Sequence, residues 1–473
     1  MSSFPFLPGT ISLVDRHSGI YQGPGRCRRS HPTGTTTDDT VQIERSGCTE
    51  TSADAEHLYL ITYKCLYAVR FAVLRKVLSH ESEKILDCSN GTVHEKPLCW
   101  KEERVTGVNN SKSMPKNVIN SQRSVAIDFL RVVAIVAVVC VHSLPVPIIS
   151  GGGWRIFASA AIGSLSKIGV PLFLIITGYL MLDRDYSGPK LKRFLKHNYL
   201  PLLVSFESWA CVAMIAKLAT DPSVSNIVEG LHTMLLIGDP LMIHFWYMQM
   251  LLGIYLFIPI LASFIRSFEQ NADKYIRMII VVGIVFTFVF PTIQMVYNWL
   301  GGNSDYEMTL GGFTGRGALG ILYMLLGYAI KKDLFNSGKH TVCIPLALLS
   351  LVLLWGLSSM ELSLTKELFL VTAGFFPIAF TAFAFANWMI HSSVWYHCPV
   401  PFAEVLQCLA GYAFGIYMAH PLVHEILSKL IPQGAHSARI MSLNPITIFL
   451  ISLCCCILLA RIKPFRKWLL LQK

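Results

Sequence analysis

The sequence predicts an all-α protein, a polytopic membrane bundle of about ten transmembrane helices that follows a poorly ordered N-terminal extension. The chain has 473 residues, of which 53% are hydrophobic and 15% are charged, whereas soluble proteins average about 25% charged residues. Apolar segments that approach the ~20 residues of a membrane helix recur from residue 125 onward, with short polar breaks between them. The mean hydropathy of +0.50 also favours many spans over one large soluble core.

Residues 1–113 differ in composition from the rest, and we expect them to form an extension to a membrane domain at residues 114–473. Residues 23–54 are polar and rich in Gly, Pro, Thr and Arg, as disordered segments are. Residues 57–77 are apolar in places, but Lys and Arg interrupt them, which suits an amphipathic helix on a membrane surface better than a span. Met114 opens a short basic leader directly before the first span. We therefore expect either a dispensable extension or a translation start at Met114.

Ten apolar segments are the candidate spans, and their order gives the predicted helices of the bundle. Most approach the length that a helix needs to cross the hydrocarbon core, although the sixth and seventh are short. In chain order they are residues 125–144, 156–182, 199–218, 246–265, 278–296, 318–330, 342–357, 368–386, 409–427 and 446–462.

The Lys and Arg residues between these segments predict the orientation of the bundle, because such residues concentrate in cytoplasmic loops. If the first span starts in the cytoplasm, the inner loops carry most basic residues, including the run at residues 184–197, and only the inner loop at 387–407 has none. The outer segments then hold few basic residues, namely Arg155, Arg316, Lys366, Lys429 and Arg439. We expect a multi-pass membrane protein with both termini in the cytoplasm.

The most informative pattern lies in the first span, where Arg131 and His142 are eleven residues apart. A helix turns ~100° per residue, so this spacing brings both side chains to one face with a rise of ~16 Å between them. Asp128 lies one turn before Arg131 and close to the same face, so the two can pair. A charged group in mid-membrane costs about 2.5–3.5 kcal/mol on insertion scales, so such groups usually face the bundle interior and serve a function.

Asp128, Arg131 and His142 are the candidate catalytic residues. His142 can act as a general base at neutral pH, Arg131 can bind a phosphate or carboxylate, and Asp128 can orient Arg131. The alternative is an ion pair that only fixes helix packing, beside an unrelated His at the membrane interface. With the predicted orientation, Arg131 lies nearer the cytoplasm and His142 near the outer face.

Five further residues are candidates for substrate binding, and each also has a structural explanation. Tyr179 directly follows Thr and Gly near the end of a span, where small residues can serve close helix packing. His244 and Trp246 begin a span on the outer side, where aromatic residues commonly form a belt. Tyr417 and His420 are one turn apart just before a proline, and an interrupted helix often lines a cavity. For this pair, a structural role is an equal alternative.

Other classes of function lack support in the sequence. The net charge of +11 suits the cytoplasmic loops of a membrane protein, and no arginine-rich aromatic platform supports nucleic-acid binding. The 13 Cys residues include no CxxC pair and no Cys/His group with zinc spacing, so we expect neither a disulfide framework nor a metal. Walker, dinucleotide-binding, HExxH and GxSxG motifs are missing as well, and we expect no permanently bound cofactor.

Four segments together resemble the acyltransferase-3 family of integral-membrane O-acyltransferases. They are IDFLRVVAIVAVVCVHS at 127–143, VPLFLIITGYL at 170–180, HFWYMQMLLGIYL at 244–256 and FGIYMAHPL at 414–422. The family's hallmark is an Arg followed after ten residues by a His in the first span, here Arg131 and His142. The resemblance covers residues 125–462 in order. Thr177 is a mild departure, since relatives often carry Ser at that position.

The resemblance implies acetyl-CoA as donor substrate. Within the family the chain looks most like compact bacterial enzymes that O-acetylate surface glycans. We therefore expect a hydroxyl of a lipid-linked or cell-surface polysaccharide as acceptor and a location in the bacterial inner (plasma) membrane. The expected partners are an acyl-CoA, a glycan and membrane lipids. The ~16 Å rise from Arg131 to His142 agrees with this implication, because a donor with its phosphates near Arg131 would place its thioester near His142. Two alternatives stay open: a transporter or flippase for a glycan or acyl compound, and a membrane scaffold whose polar groups only lock helices together.

Overall fold

The computed structural model describes residues 116–143, 154–268, 271–301, 315–335, 340–365, 374–431 and 443–472. The extension expected at residues 1–113, with its boundary at Met114, lies outside the described residues. All regular structure in the described ranges is helical, which confirms the prediction of an all-α fold.

The first predicted span is one helix, and the second is two. α1 (Lys116–Ser143) is long because apolar residues fill its second half and neither Gly nor Pro interrupts it. A short turn divides the second span into α2 (Trp154–Ser166) and α3 (Gly169–Met181). Residues Ala160–Met181 still form one stretch that is long enough to cross a membrane, as the sequence predicts over residues 156–182. Pro171 lies in the first turn of α3, where its missing N–H costs no helical hydrogen bond. This favours the start of α3 at this point over a continuation of α2.

Twelve further α-helices and one short 3-10 helix (Ser393–His397) lie in the described ranges, and two pairs of the α-helices are joined through one wide, π-type turn each. In chain order they are α4 (Pro189–Phe194), α5 (Leu200–Thr220), α6 (Val224–Leu235), α7 (Phe245–Ser267), α8 (Ala272–Ile284), α9 (Phe290–Trp299), α10 (Gly315–Lys332), α11 (His340–Thr365), α12 (Phe376–His391), α13 (Val400–Leu430), α14 (Pro445–Ala460) and α15 (Lys463–Trp468). The wide turns are Leu195–Tyr199 between α4 and α5 and Val285–Val289 between α8 and α9. Pro201 and Pro291 follow these turns, and a proline ring pushes away the carbonyl one turn before it, which widens the turn.

Six helical stretches in the described ranges are long and apolar enough to cross a membrane, judged by length and composition. They are Val125–Ser143, Ala160–Met181, Pro189–Thr220, Phe245–Ser267, Ala272–Trp299 and Val400–Leu430. Shorter apolar helices at Ala347–Ser363, Phe376–His391 and Pro445–Ala460, together with α10, occupy the other predicted segments. Each of the ten predicted segments therefore contains helix, and the prediction of a polytopic membrane bundle is confirmed.

The centre of the bundle depends on very close helix contacts. α3 packs against α10, and α1 packs against both α3 and α13. A Cβ atom added at Gly178 would lie 1.9 Å from the carbonyl oxygen of Met324, and one added at Gly327 would lie 2.0 Å from that of Ile175. Only glycine allows two backbones to approach this closely, as at other small-residue helix contacts in membranes.

An ion-pair cluster shows that α3, α7 and α10 all end on the same side of the bundle. Asp183, just after α3, contacts Lys332 at 2.6 Å and Lys331 at 3.5 Å, and Asp185 contacts Arg266 of α7 at 2.7 Å and also Lys190. Partial burial raises the pKa of Asp183, but the two lysines more than offset this and hold it below its ordinary value. We call this side the inner end of the bundle and the opposite side the outer end.

Candidate functional site

The inner part of the site is an ion pair on α1. Arg131 donates from Nη1 to Oδ1 of Asp128 at 3.0 Å, which is the i,i+3 pair expected from the sequence. The side chain of Asp128 is 13% exposed and that of Arg131 is 36% exposed. The pair therefore holds the guanidinium in place while part of it stays accessible.

Arg131 lines a cavity of about 240 Å³ between α1, α3, α7 and α13, which we call the Arg131 cavity. Most of its walls are apolar, and its polar side chains besides Arg131 are Thr177, Tyr247, Tyr255 and Tyr417. A cavity that combines apolar walls with one cation and a few hydroxyl groups is typical of a site for a small molecule or for one arm of a larger one.

The C-terminal residues of the chain form one wall of the Arg131 cavity. The carbonyl oxygen of Leu469 accepts hydrogen bonds from Ser205 Oγ at 2.9 Å and Trp209 Nε1 at 3.0 Å, both on α5. Leu470 is buried and fills the space beside Gly415 of α13. Leu471 then reaches the cavity itself. The tail thus turns back into the bundle after α15 and contributes to the site.

Three histidines from three helices meet at the outer end and form what we call the imidazole cluster. The ring centroid of His420, on α13, lies 5.4 Å from that of His142, at the end of α1, and 5.7 Å from that of His244, just before α7. His244 and His420 are buried, whereas His142 is partly exposed. His142 is therefore the member of the cluster that a second molecule can reach.

Hydrogen bonds fix the tautomer of His420. Its Nδ1 lies 3.1 Å from the carbonyl oxygen of Ile416 and 2.8 Å from that of Tyr417. Because a carbonyl oxygen only accepts, we assign the hydrogen to Nδ1, which leaves a lone pair on Nε2. This Nε2 is buried without a hydrogen-bond partner among the described residues, and so are both ring nitrogens of His244. Buried polar atoms without partners are unusual and commonly mark functional sites.

Tyr417 connects the imidazole cluster to the Arg131 cavity. Its hydroxyl donates to the carbonyl oxygen of His244 at 2.6 Å, and its ring lies 5.7 Å from the ring of His244. The same side chain lines the Arg131 cavity, where it contacts Tyr247 at a ring distance of 5.4 Å. The two parts of the site therefore share a wall, although they lie at different depths in the bundle.

The structure brings six of the eight sequence-predicted residues together and leaves two apart. Asp128, Arg131 and His142 lie on α1, and Tyr417, His420 and His244 join them. Tyr179 lies at the inner end, where Lys331 sits 5.8 Å above its ring, and it is not among the residues that line the Arg131 cavity. Trp246 lies on another side of α7, with the guanidinium of Arg316 5.3 Å above its ring.

Two tyrosines of the site, Tyr247 and Tyr255, are not among the residues predicted from the sequence. Tyr247 and Tyr255 are eight residues apart on α7, and Met248 and Leu251 lie between them on the same side, facing the Arg131 cavity. Residues four and eight apart share one helix face, so the spacing itself could have identified this stripe. The spacing does not show that this stripe faces the site, because apolar residues also lie on the other sides of α7.

The described part of the chain contains no group of three or more His, Cys, Asp or Glu side chains arranged to hold a metal ion. Imidazole rings as such can accept and donate protons and hydrogen bonds.

Comparison with known proteins identifies one family. The model of that family, described as an acyltransferase domain, matches residues 124–461, from the start of the apolar part of α1 to the end of α14. No curated protein and no solved structure matches the chain significantly.

Proposed function

The chain belongs to the acyltransferase-3 family, and from this premise we propose that it transfers an acetyl group from acetyl-CoA to a hydroxyl group of a lipid-linked or cell-surface glycan. The observation that carries the proposal is that Tyr417 lines the Arg131 cavity and also contacts His244 of the imidazole cluster. It places a cavity that holds a fixed cation next to a cluster of imidazoles, one of which is accessible. Acyl transfer from a large phosphorylated donor needs both parts.

The Arg131 cavity suits one arm of the donor. A guanidinium binds phosphate through paired, charge-assisted hydrogen bonds, and Asp128 holds Arg131 ready for this contact. The cavity of about 240 Å³ accommodates an extended pantetheine arm but not a whole CoA. The nucleotide part of the donor would then stay at the inner end, near the exposed residues Lys192, Arg193 and Lys196.

The imidazole cluster suits the reaction itself. The rise of ~16 Å along α1 places a thioester near His142 when the phosphates of the donor lie near Arg131. His142 removes the proton of the acceptor hydroxyl while that oxygen attacks the thioester carbonyl carbon. The carbon–sulfur bond breaks, the CoA thiolate takes up the proton, and the products are a glycan ester and CoA. The lone pair on Nε2 of His420, next to His142, stabilises the protonated form of His142 in this step.

The Arg131 end would face the cytoplasm, where acetyl-CoA is made, and the imidazole cluster would face the outer side. The inner-end residues Arg266, Lys331 and Lys332 support this orientation, because basic residues concentrate on the cytoplasmic side of membrane proteins. A protein in the bacterial inner membrane with this orientation joins a cytoplasmic donor to an acceptor that is finished outside.

Transfer of label from donor to glycan tests the proposed function. The purified full-length chain in lipid nanodiscs is given acetyl-CoA with a radioactive acetyl group and glycolipids extracted from a strain that lacks the gene. We expect alkali-labile label in the glycolipid fraction and release of CoA in equal amount. Release of neither product, together with movement of glycolipid across a sealed membrane, would contradict the proposal and favour the transporter class instead.

A further inference from the structure

A second concave site lies on a different side of α7 from the Arg131 cavity. It is an open groove of about 430 Å³ between α7 and α10. We call it the outer groove. The residues that carry the argument are Trp246, Gln249 and Gly253 of α7, and Arg316 and Gly317 of α10, with Phe257 at the far end. Trp246 and Arg316 lie near the first residues of their helices, so the groove begins at the outer end of the bundle.

Two glycines keep the outer groove open. A Cβ atom added at Gly253 or at Gly317 would meet no atom within 4 Å, so neither glycine is needed for helix contact. Gly320 on the same helix differs, because a Cβ there would lie 2.3 Å from Cδ1 of Ile254. α7 and α10 therefore touch at Gly320, whereas Gly317, one turn earlier on α10, faces open space. The space at Gly253 and Gly317 serves no contact within the described protein.

The polar groups of the outer groove are gathered at its outer end. The guanidinium of Arg316 lies 5.3 Å above the ring of Trp246 and also interacts with Asp239. A guanidinium stacked on an indole keeps its charge and its in-plane N–H donors. One turn from Trp246, the Nε2 of Gln249 is buried without a hydrogen-bond partner among the described residues. Because that nitrogen is out of reach of solvent, the group that this end of the groove offers to an occupant is the cation of Arg316.

The rest of the outer groove is apolar. Phe257 is 43% exposed and Ile254 is buried, and Phe257 lies eleven residues along α7 from Trp246. This distance is ~16 Å along the helix, about half of the ~30 Å hydrocarbon core of a bilayer. An occupant of complementary chemistry has an anionic head at Arg316 and a hydrocarbon tail that runs past Phe257 toward the middle of the membrane.

The outer groove starts beside the imidazole cluster. Trp246 is two residues after His244, whose ring lies 5.7 Å from that of His420. Tyr247, between them in the chain, lines the Arg131 cavity. A group attached to the anionic head of a molecule in the outer groove can therefore extend across the start of α7 toward His142.

We propose that the outer groove binds the acceptor by its lipid carrier: an isoprenoid-type tail along Gly253 and Phe257, and the phosphate of the carrier at Arg316. The glycan attached to that phosphate extends toward His142. This inference rests on the proposed function for its purpose, but the binding of the lipid phosphate can be measured without the transfer reaction.

Photolabelling tests the binding site directly. The purified full-length chain in nanodiscs is irradiated with a long-chain isoprenyl phosphate that carries a diazirine in its tail, and the labelled peptides are identified by mass spectrometry. We expect label on α7 and α10. Gly253→Leu and Gly317→Leu add a side chain where a Cβ atom meets nothing within 4 Å, so each should fill part of the groove and lower labelling at least about fivefold. Arg316→Ala should lower it as well.

Gly356→Leu is the matched control, because a Cβ at Gly356 of α11 also meets nothing within 4 Å. It should leave labelling unchanged. Label outside α7 and α10, or equal label in the groove-filling variants and the control, would overturn the inference. The inference would also be overturned if excess phosphatidylglycerol lowered labelling as much as excess unlabelled isoprenyl phosphate does. The groove would then bind ordinary membrane lipid.

The result is distinguishable from a failure of the proposed function. If labelling follows these expectations while no acetyl transfer is found, the lipid-phosphate site stands and the reaction is wrong. If acetyl transfer is found, the two leucine variants should raise the KM for a long-tailed glycolipid and leave the KM for acetyl-CoA unchanged.

Discussion

The two ends of α1 hold their polar side chains in opposite ways. Near the inner end, Arg131 is paired with Asp128 at 3.0 Å and lines a cavity. At the outer end, His142 contacts another imidazole, that of His420, whose Nε2 has no hydrogen-bond partner within the described residues. A permanent charge inside a membrane needs a partner, whereas a neutral imidazole can remain unpaired and keep its lone pair for chemistry. The difference suggests that one end binds and the other end reacts.

Removing the imidazole of His142 should have the largest effect on transfer. General-base catalysis contributes about 10²–10⁴-fold, so His142→Ala should lower kcat by that amount and leave the KM for acetyl-CoA nearly unchanged. The measurement is steady-state release of CoA with a glycolipid acceptor. His397→Ala is the control, because His397 is exposed and belongs to a short turn outside the cluster. A normal kcat in His142→Ala would assign the cluster to packing alone.

Filling the Arg131 cavity from its C-terminal wall should affect the donor and spare the reaction step. Leu471→Trp adds volume inside the cavity, and overpacking costs about 1 kcal/mol or more. The KM for acetyl-CoA should therefore rise about fivefold or more, with a smaller change in kcat. Leu458→Trp is the control, since Leu458 is 64% exposed on α14. Equal kinetics in the two variants would mean that the donor does not enter this cavity.

Asp128→Asn should have a moderate effect, limited to the inner end. The variant keeps Arg131 but removes its charged partner, and a partly exposed ion pair is worth up to about 1 kcal/mol. The KM for acetyl-CoA should rise about twofold to fivefold, while the pH dependence of kcat stays that of the wild type. A shifted pH profile for kcat would instead place Asp128 in the proton-transfer step. It would contradict the claim that the inner end of α1 serves binding alone.

The ion-pair cluster at the inner end should have the smallest effect, and only on stability. Lys332 and Lys331 hold the pKa of Asp183 below its ordinary value of 3.8, so its contribution is present above that value and disappears as the pH falls through the lower pKa of the folded state. Asp183→Asn should lower the free energy of unfolding by less than about 1 kcal/mol at neutral pH. Thermal unfolding of the wild type and the variant should converge as the pH falls below 3.8. If the wild type and Asp183→Asn still differed in stability by the same amount at low pH, the ion pairs of Asp183 would not be the cause of that difference.

The geometry of α1 could be predicted from the sequence, because it depends on helix periodicity alone. The spacing of Asp128, Arg131 and His142 specifies which side chains share a face. The ion pair at 3.0 Å follows from an i,i+3 spacing in the same way. Local arguments of this kind need no knowledge of the neighbouring helices.

Contacts between helices could not be predicted in this way. Tyr179 was placed correctly near the end of a span, but the close approach of backbones at Gly178 and Gly327 locks this part of α3 against α10. The C-terminal wall of the Arg131 cavity depends on a hydrogen bond from Trp209 to Leu469, which are 260 residues apart in the chain. The local sequence around either residue does not predict this contact.

Equilibrium binding of acetyl-CoA to the wild type, Arg131→Ala and His142→Ala tests the division between the two ends of α1 most directly. Hydrogen bonds to a charged group contribute about 1.5–3 kcal/mol, so Arg131→Ala should weaken binding by about tenfold to a hundredfold. His142→Ala should bind acetyl-CoA as tightly as the wild type while it transfers the acetyl group about 10²–10⁴-fold more slowly. Unchanged affinity in Arg131→Ala, or a loss of affinity in His142→Ala as large as that in Arg131→Ala, would contradict the separation of binding from reaction along α1.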